Sequence, residues 1–298
     1  MQYNLLGRSN LRISAIGFGC MSLHNNEAEN IRIIHRAIEL GINYFDTADL
    51  YDKGLNETLV GKALKEKRDK VIIATKVGNQ WRPDGSGWDW NPSKEYILAS
   101  AEKSLQRLQT DHIDLYQLHG GTIDDPIDET IEAFELLLKQ GKIRNYGISS
   151  IRPNVIREYI KRSSVVSVMM QYSLPDRRPE ENVLGLLSKN NIAVLCRGAL
   201  AQGLLVNKPA REYLGYTTEE VIKASDAVHA VSGPQRTPAQ TAIRFVLQHH
   251  AISSAIIGIR TMDQLEEAVN TLQTPVLTAG ELQNLQQSIE PKVYEQHR

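Results

Sequence analysis

Hydrophobic and polar positions alternate in two textures along this chain. Runs of six to eight residues, rich in β-branched side chains, recur at 15–20, 43–48, 71–77, 113–119, 143–149, 165–172, 192–198 and 254–259. Continuous apolar runs of that length are what strands buried on both faces look like. Between them lie stretches with apolar residues at helical spacing. In the stretch 30–40 the apolar stripe is Ile31, Ile33, Ile34, Ala37, Ile38 and Leu40. The others are 56–65, 93–108, 127–139, 154–161, 180–189 and 237–249, and an extra helix over 217–231 fits the long gap before the eighth strand. Ser93 and the Thr237-Pro238 pair read as helix starts, and Gly41 and Gly141 stand where helices should stop. Strict alternation of strand and helix predicts parallel strands joined by helical crossovers. Eight such units predict an α/β fold of the (β/α)8 TIM-barrel kind, with an open doubly wound sheet as the alternative. The opening segment YNLLGRSNLRIS reads as an N-terminal β-hairpin that could plug the barrel bottom, and extra C-terminal helices follow the last strand.

Composition adjusts this picture in two places. A length of 298 residues suggests two domains of about 150 residues, but a (β/α)8 barrel of about 250 residues is one domain. No linker or repeat divides the chain, so one domain over 1–298 is expected. The 34 Lys+Arg against 35 Asp+Glu give a net charge of −1, which removes bulk attraction to nucleic acid or an anionic membrane surface. The two cysteines, Cys20 and Cys196, are far apart with no CxxC, and the first residues lack the apolar core of a signal peptide. A cytoplasmic protein is expected. No long apolar surface stripe stands out, so a monomer is expected too.

In a closed barrel the strand C-termini carry the chemistry. Those ends hold Asp46, Lys76 and His119, with Tyr51 five residues beyond Asp46. Buried Asp and Lys are rare unless paired. One reading is a structural ion pair closing the barrel, with His119 a satisfied buried imidazole. The other is a proton donor with its support. A phenol of pKa about 10 is a reluctant acid at neutral pH. A neighbouring ammonium stabilises phenolate, a carboxylate keeps that ammonium charged and in place, and an imidazole within reach can orient a carbonyl. The four residues do not suit a metal, since HxH, HExxH and cysteine clusters are missing from the sequence. His249 and His250 read as surface residues on a helix, pointing different ways. Gly17-Phe18-Gly19 lacks the third glycine of a dinucleotide fingerprint, and no GxxxxGK or GxSxG is present.

The segments GINYFDTADLYDKGLNETLVGKAL, VIIATKVG, DHIDLYQLHG, GKIRNYGISS and ALAQGLL together resemble an aldo-keto reductase. The likeness runs from about residue 6 to about residue 290. The first segment is the most specific, with Asp, Tyr and the following Gly-x-x-Glu at family spacing. The bacterial branch of inositol-operon and general-stress reductases is nearest, and potassium-channel β-subunits are more distant. The resemblance implies reduction of aldehydes or ketones with NADPH, rather than NADH, bound extended across the barrel rim. By motif match Tyr51 is the general acid, Lys76 activates it, Asp46 holds Lys76, and His119 orients the carbonyl.

On the cofactor side the resemblance implies contacts from Cys20, Met21, Asp46, Ser149, Ser150, Gln171, Arg197, Gly198, Leu200, Gln202, Gly258, Arg260, Gln264 and Glu267. Three of these positions depart from the family pattern. Met169 stands three residues before Tyr172, where a Gln is frequent, while Gln171 is adjacent. Arg197 occupies the place of an aromatic that stacks on the nicotinamide, and a stacked guanidinium adds charge beside the ring. Gly258-Ile259 replaces a Lys-Ser pair, leaving Arg260 at a helix N-terminus for the 2′-phosphate. For a small-molecule carbonyl substrate, Met21, Leu23, Tyr51, His119, Trp81, Trp88 and Trp90 are expected to form the wall. The three Trp are all the indole of the protein and fall in one loop without helical or strand period. They either line the substrate or pack the loop onto the barrel. Two other functions fit the same residues: a cofactor-sensing regulatory subunit, and an aldolase using Lys76 as a Schiff base.

Overall fold

The computed structural model describes residues 1–23 and 26–298. The N-terminal hairpin pairs β1 (Tyr3–Leu5) with β2 (Arg12–Ser14). Eight parallel strands follow: β3 (Ile16–Gly19), β4 (Tyr44–Asp46), β5 (Ile72–Val77), β8 (Ile113–Leu118), β9 (Ile143–Ser149), β10 (Ser167–Gln171), β11 (Ala193–Arg197) and β12 (Ile252–Gly258). They close into a barrel in chain order, with β12 against β3 completing the ring. The expected (β/α)8 barrel is therefore the fold, and the open sheet is not. Around it lie α1 (Glu27–Glu39), α2 (Leu55–Leu64), α3 (Lys94–Leu108), α4 (Ile127–Lys139), α5 (Pro153–Arg162), α6 (Val183–Lys189), α7 (Thr218–Ala230), α8 (Pro238–Leu247), α9 (Met262–Asn270) and α10 (Ala279–Gln287).

Two cores result, because side chains alternate across each strand. One parity of every strand faces outward and packs under the helices, as Phe45, Ile73, Ile148 and Val194 do. The other parity faces inward. Tyr44, Ile72, Ala74, Leu115, Met169, Leu195 and Ile256 fill the barrel interior together with Leu6 and Ile13. Leu6 and Ile13 flank and belong to the hairpin, so the hairpin does plug the bottom. Caps follow the chemistry of the sequence. Ser93 accepts from the Tyr96 amide before α3, and Thr237 and Gln240 form a reciprocal capping box before α8. Gly41 and Gly141 take positive φ after α1 and α4.

Several boundaries differ from expectation. The run 43–48 is a strand only over Tyr44–Asp46, because the chain leaves the sheet there to form the turn carrying Tyr51. The helix expected over 180–189 begins as a 3-10 turn at Arg178–Glu181 and becomes α-helical only in α6. The segment after β5 is not aperiodic: β6 (Asn79–Trp81) and β7 (Trp88–Trp90) form an antiparallel hairpin with Trp81 opposite Trp88. Three-residue strands are too short to show a period. Helix α8 stops at Leu247, so His249 and His250 lie in the turn beyond it with rings stacked 4.8 Å apart. Without helical rotation between them, the two imidazoles do not diverge as expected. Among the described residues, no helix is long and apolar enough to cross a membrane.

Candidate active site at the barrel rim

The inward parity of the strands changes character toward their C-terminal ends. In β4, apolar Tyr44 gives way to Asp46. In β5, Ile72 and Ala74 give way to Lys76. In β8, Leu115 is followed by Gln117 and, just past the strand, His119. Strands β10 and β11 repeat the switch, Met169 to Gln171 and Leu195 to Arg197. The interior is therefore apolar at the bottom and polar at the rim where barrel chemistry is built. The ring is completed by Gly19 and Gly258, paired across β3 and β12, which place no side chain in the mouth.

Lys76 is the centre of this layer. It is 1% exposed and Asp46 is 4% exposed. Its ammonium donates to Asp46 Oδ2 at 2.5 Å, to the Thr47 carbonyl at 2.8 Å and to the Tyr51 hydroxyl at 3.2 Å. An ammonium has three donors, so every proton on Lys76 is assigned. Burial alone would lower its pKa, but the charges of Asp46 and Tyr51 outweigh burial and raise it. Burial raises the pKa of Asp46 against the opposing pull of Lys76. The pair is a buried ion pair held together by mutual need. Tyr51 reaches Lys76 because the chain turns sharply after β4 and turns again into α2, through Asp52, Lys53 and Gly54, all with positive φ. Gly54 has a φ of +88°, and a Cβ there would lie 2.9 Å from Arg107 Cδ, so a side chain at this position of the Gly-x-x-Glu motif would be strained and would displace the Arg107 side chain.

The His119 ring stands edge-on to the Tyr51 ring, centroids 5.9 Å apart. Its Nδ1 is buried and has no partner among the described residues. Burial, with the charges of Lys76 and Arg197, pushes its pKa down from 6.5 to about 3. The imidazole is thus neutral at neutral pH, with one N–H able to donate to a carbonyl oxygen. Activity should consequently show no His119 limb on acidification through pH 6.5, the imidazole charging only toward pH 3. A pH profile of kcat with a limb near 6.5 that disappears in His119→Asn would contradict this.

The structure places the remaining rim residues as follows. Ser149 ends β9, and Ser150 follows with its hydroxyl accepting from the Arg152 amide. Gln171 lies on the same inward face as Met169, one step nearer the rim, so the carboxamide at the mouth comes from Gln171. Its Oε1 accepts from Arg197 Nη1 at 2.8 Å and its Nε2 donates to the Tyr213 hydroxyl at 2.9 Å. Gly198, Leu200 and Gln202 line the chain leaving β11, where Ala201, Gln202 and Gly203 all have positive φ. Gly258 ends β12 with Ser22 Oγ beside it. Arg260 is exposed ahead of α9, and its backbone amide donates to Gln264 Oε1. Glu267 lies on α9 with its carboxylate accepting from the Thr237 hydroxyl. Cys20 is fully buried, so its thiol is closed to any ligand and only its backbone remains for the expected contact. Its neighbour Met21 is 65% exposed.

The aldo/keto reductase family profile matches residues 15–290. The chain belongs to the aldo-keto reductase family. It is 48% identical to YqkF, an uncharacterized oxidoreductase of Bacillus subtilis strain 168, over the whole of both chains. The holo form of aldo-keto reductase AKR11C1 from Bacillus halodurans superposes with a TM-score of 0.94 at 50% identity, covering 100% of this chain and 99% of that one. An NADH-specific methylglyoxal reductase of Escherichia coli K12 is 30% identical over 90% of this chain and 92% of its own length. The protein is an oxidoreductase of a family that acts on carbonyl groups with nicotinamide cofactors.

In this aldo-keto reductase the three indoles have separate surroundings. Trp90 donates to Asp125 Oδ1 at 3.0 Å and covers Gly78 and Gly120, so it packs the hairpin onto the barrel. Trp81 donates to the Leu50 carbonyl, next to Tyr51, with the Lys53 ammonium 5.2 Å over its ring. Trp88 is 48% exposed. A cavity of about 380 Å³ borders Tyr51 and is lined by Met21, Leu23, Leu50, Leu55 and Leu59, with Asp52 and Asn56. A slightly larger cavity of about 400 Å³ lies beside the N-terminal hairpin, near Asn4 and His249, away from Asp46, Tyr51, Lys76 and His119. Sequence reasoning missed Gln117, which donates to Asp46 Oδ1 at 3.3 Å. The signal was available, because Gln117 lies in phase with Leu115 and His119 on one strand face.

Proposed function

We propose that this aldo-keto reductase reduces aldehydes or ketones to alcohols with NADPH, with Tyr51 as the proton donor. The observation that carries the reading is the complete use of Lys76: one proton to Asp46, one to the Thr47 carbonyl, one to the Tyr51 oxygen. An ammonium aimed at a phenol oxygen stabilises the phenolate left after proton transfer. Asp46, itself held by Gln117, fixes the position and charge of Lys76. Neutral His119 steers the carbonyl oxygen toward Tyr51. The bound NADPH supplies the hydride. Ser149, Ser150 and Gln171 would hold its carboxamide, and Arg197 would supply a guanidinium where the family resemblance implies an aromatic.

The rim fits such a dinucleotide. The glycine pair Gly19 and Gly258 leaves the mouth open between β3 and β12. Hydroxyl, carboxamide and guanidinium donors stand at successive strand ends. The far end of the rim carries Arg260 at the N-terminus of α9, where anions are favoured. Arg260 is the phosphate partner that favours NADPH over NADH. Arg260→Ala should weaken NADPH binding by about tenfold or more while NADH binding changes little. Fluorescence titration with both cofactors checks this, and equal affinities before and after would remove Arg260 from the role. Both thiols are free and buried, in keeping with a reducing cytoplasm and a single-domain chain without covalent staples. Consumption of NADPH and NADH against a panel of aromatic aldehydes, ketones and sugars tests the whole reading. Tight NADPH binding without turnover would instead make the protein a cofactor sensor, and borohydride trapping of substrate on Lys76 would make it an aldolase.

A further inference from the structure

The chain leaving β11 makes a long excursion before α7, and one residue of it returns to the barrel mouth. Tyr213 is buried, and its hydroxyl accepts from Gln171 Nε2 at 2.9 Å. The Tyr213 amide donates to the Tyr216 carbonyl at 3.1 Å, and the Tyr216 amide donates back to the Tyr213 carbonyl at 3.0 Å. Leu214 and Gly215 between them both take positive φ, which closes a tight turn with a tyrosine at each end. Tyr216 is buried as well. Its hydroxyl donates to the Glu290 carbonyl at 2.8 Å and accepts from the Lys292 amide at 3.0 Å. The turn is therefore fastened at one end to the chain beyond α10 and at the other to Gln171. The cofactor reading above gives Tyr213 no part.

The partners of Gln171 fix which way its carboxamide points. A guanidinium offers only donors, so the oxygen faces Arg197 and the nitrogen faces Tyr213. Arg197 is exposed, and among the described residues its guanidinium bonds Gln171 alone. It moves with Gln171 and cannot be the fixed end, so the buried Tyr213 is. The stem is confined too, since a Cβ at Gly198 would lie 3.1 Å from Gln171 Cγ. With both bonds made, Gln171 keeps one N–H and one lone pair on Oε1. A ligand carboxamide, with its own carbonyl and NH2, is the complement of that pair. We propose that Tyr213 is a positioning residue for the nicotinamide end of the cofactor, its hydroxyl anchoring the Gln171 carboxamide so that this matched donor and acceptor stay available. Without the hydroxyl, one Gln171 N–H loses its acceptor and the side chain is tethered only to an exposed guanidinium.

The inference rests on Gln171 as a partner of the nicotinamide carboxamide, and the test keeps the two apart. Calorimetry gives the Kd of NADPH, of NADH and of adenosine 2′,5′-bisphosphate, the end of NADPH that lacks nicotinamide. The wild type, Tyr213→Phe, Gln171→Leu and the double variant are compared. Tyr213→Phe removes one oxygen and keeps the buried ring. It weakens NADPH and NADH alike by about fivefold, the worth of one neutral hydrogen bond, and leaves the bisphosphate within about twofold. The unchanged bisphosphate also shows the variant to be folded. Gln171→Leu weakens both dinucleotides at least as much. The double variant stays within about twofold of Gln171→Leu, because Tyr213 acts through Gln171. Wild-type dinucleotide affinity in Tyr213→Phe, beside a weakened Gln171→Leu, overturns the role of Tyr213 alone. Equal weakening of the bisphosphate would mean a general loosening of the loop and also overturns it, as does a double variant whose two losses multiply. Wild-type affinity in Gln171→Leu takes Gln171 away from the cofactor, and this inference goes with it.

Discussion

Replacing Tyr51 by Phe should lower kcat for aldehyde reduction by about 10²- to 10⁴-fold, the usual contribution of a positioned general acid. The substitution removes one oxygen and keeps the ring that stands edge-on to His119. The Tyr51 hydroxyl takes one of the three Lys76 protons, and that proton would be left facing the mouth, where water can take it. Folding should therefore change little, and NADPH binding should stay near the wild-type value because no proposed cofactor contact is removed. Single-turnover reduction with saturating NADPH isolates the chemical step. Activity within a few-fold of wild type would mean that the proton comes from elsewhere. His119 would be the next candidate, although its imidazole is held neutral.

The second large effect concerns the buried pair. Lys76→Met leaves Asp46 charged, 4% exposed and without its cation. Breaking a buried ion pair by removing one partner costs about 3–5 kcal/mol. For a chain of this size that lowers Tm by roughly 5–10 °C. Activity should fall as well, since the phenolate loses its ammonium. The double variant Lys76→Met/Asp46→Asn separates structure from catalysis. It removes both charges, keeps a polar acceptor for Gln117, and should recover most of the lost stability. It should recover none of the activity. Calorimetry and the aldehyde assay on the same preparations give the answer. A double variant that regains turnover would show that the pair only closes the barrel, the structural reading open to the sequence alone.

How much of this was legible beforehand depends on the kind of information. Asp46, Lys76 and His119 stand out because charged or polar residues interrupt otherwise apolar strand runs. The inward parity Ile72, Ala74, Lys76 can be read directly from the chain, and by the same logic Gln117 was readable between Leu115 and His119. Tyr51 was different. It lies in a turn with no period, and only its spacing from Asp46 and the following Gly-x-x-Glu marked it. Arg107 and Glu57 are 50 positions apart and carry no local signal that they meet. The Trp-rich segment showed no strand period because each strand of its hairpin has three residues. The separate fates of Trp81, Trp88 and Trp90 follow from partners elsewhere in the chain: Leu50, solvent, and Asp125.

By itself the sequence determined the alternation of strand and helix, the eight-stranded barrel, and the set of side chains available at its rim. Those follow from local periodicity and capping, which neighbouring residues decide among themselves. Tertiary structure decided which of these groups meet. Lys76 and Asp46 are 30 positions apart, and only barrel closure and strand register bring the ammonium onto the carboxylate. The same register aims the third proton of Lys76 at Tyr51 and ties Gln171 to Arg197. Hydrogen-bond competition among buried groups is settled by distances of a few tenths of an ångström, and such distances exist only once the barrel has closed.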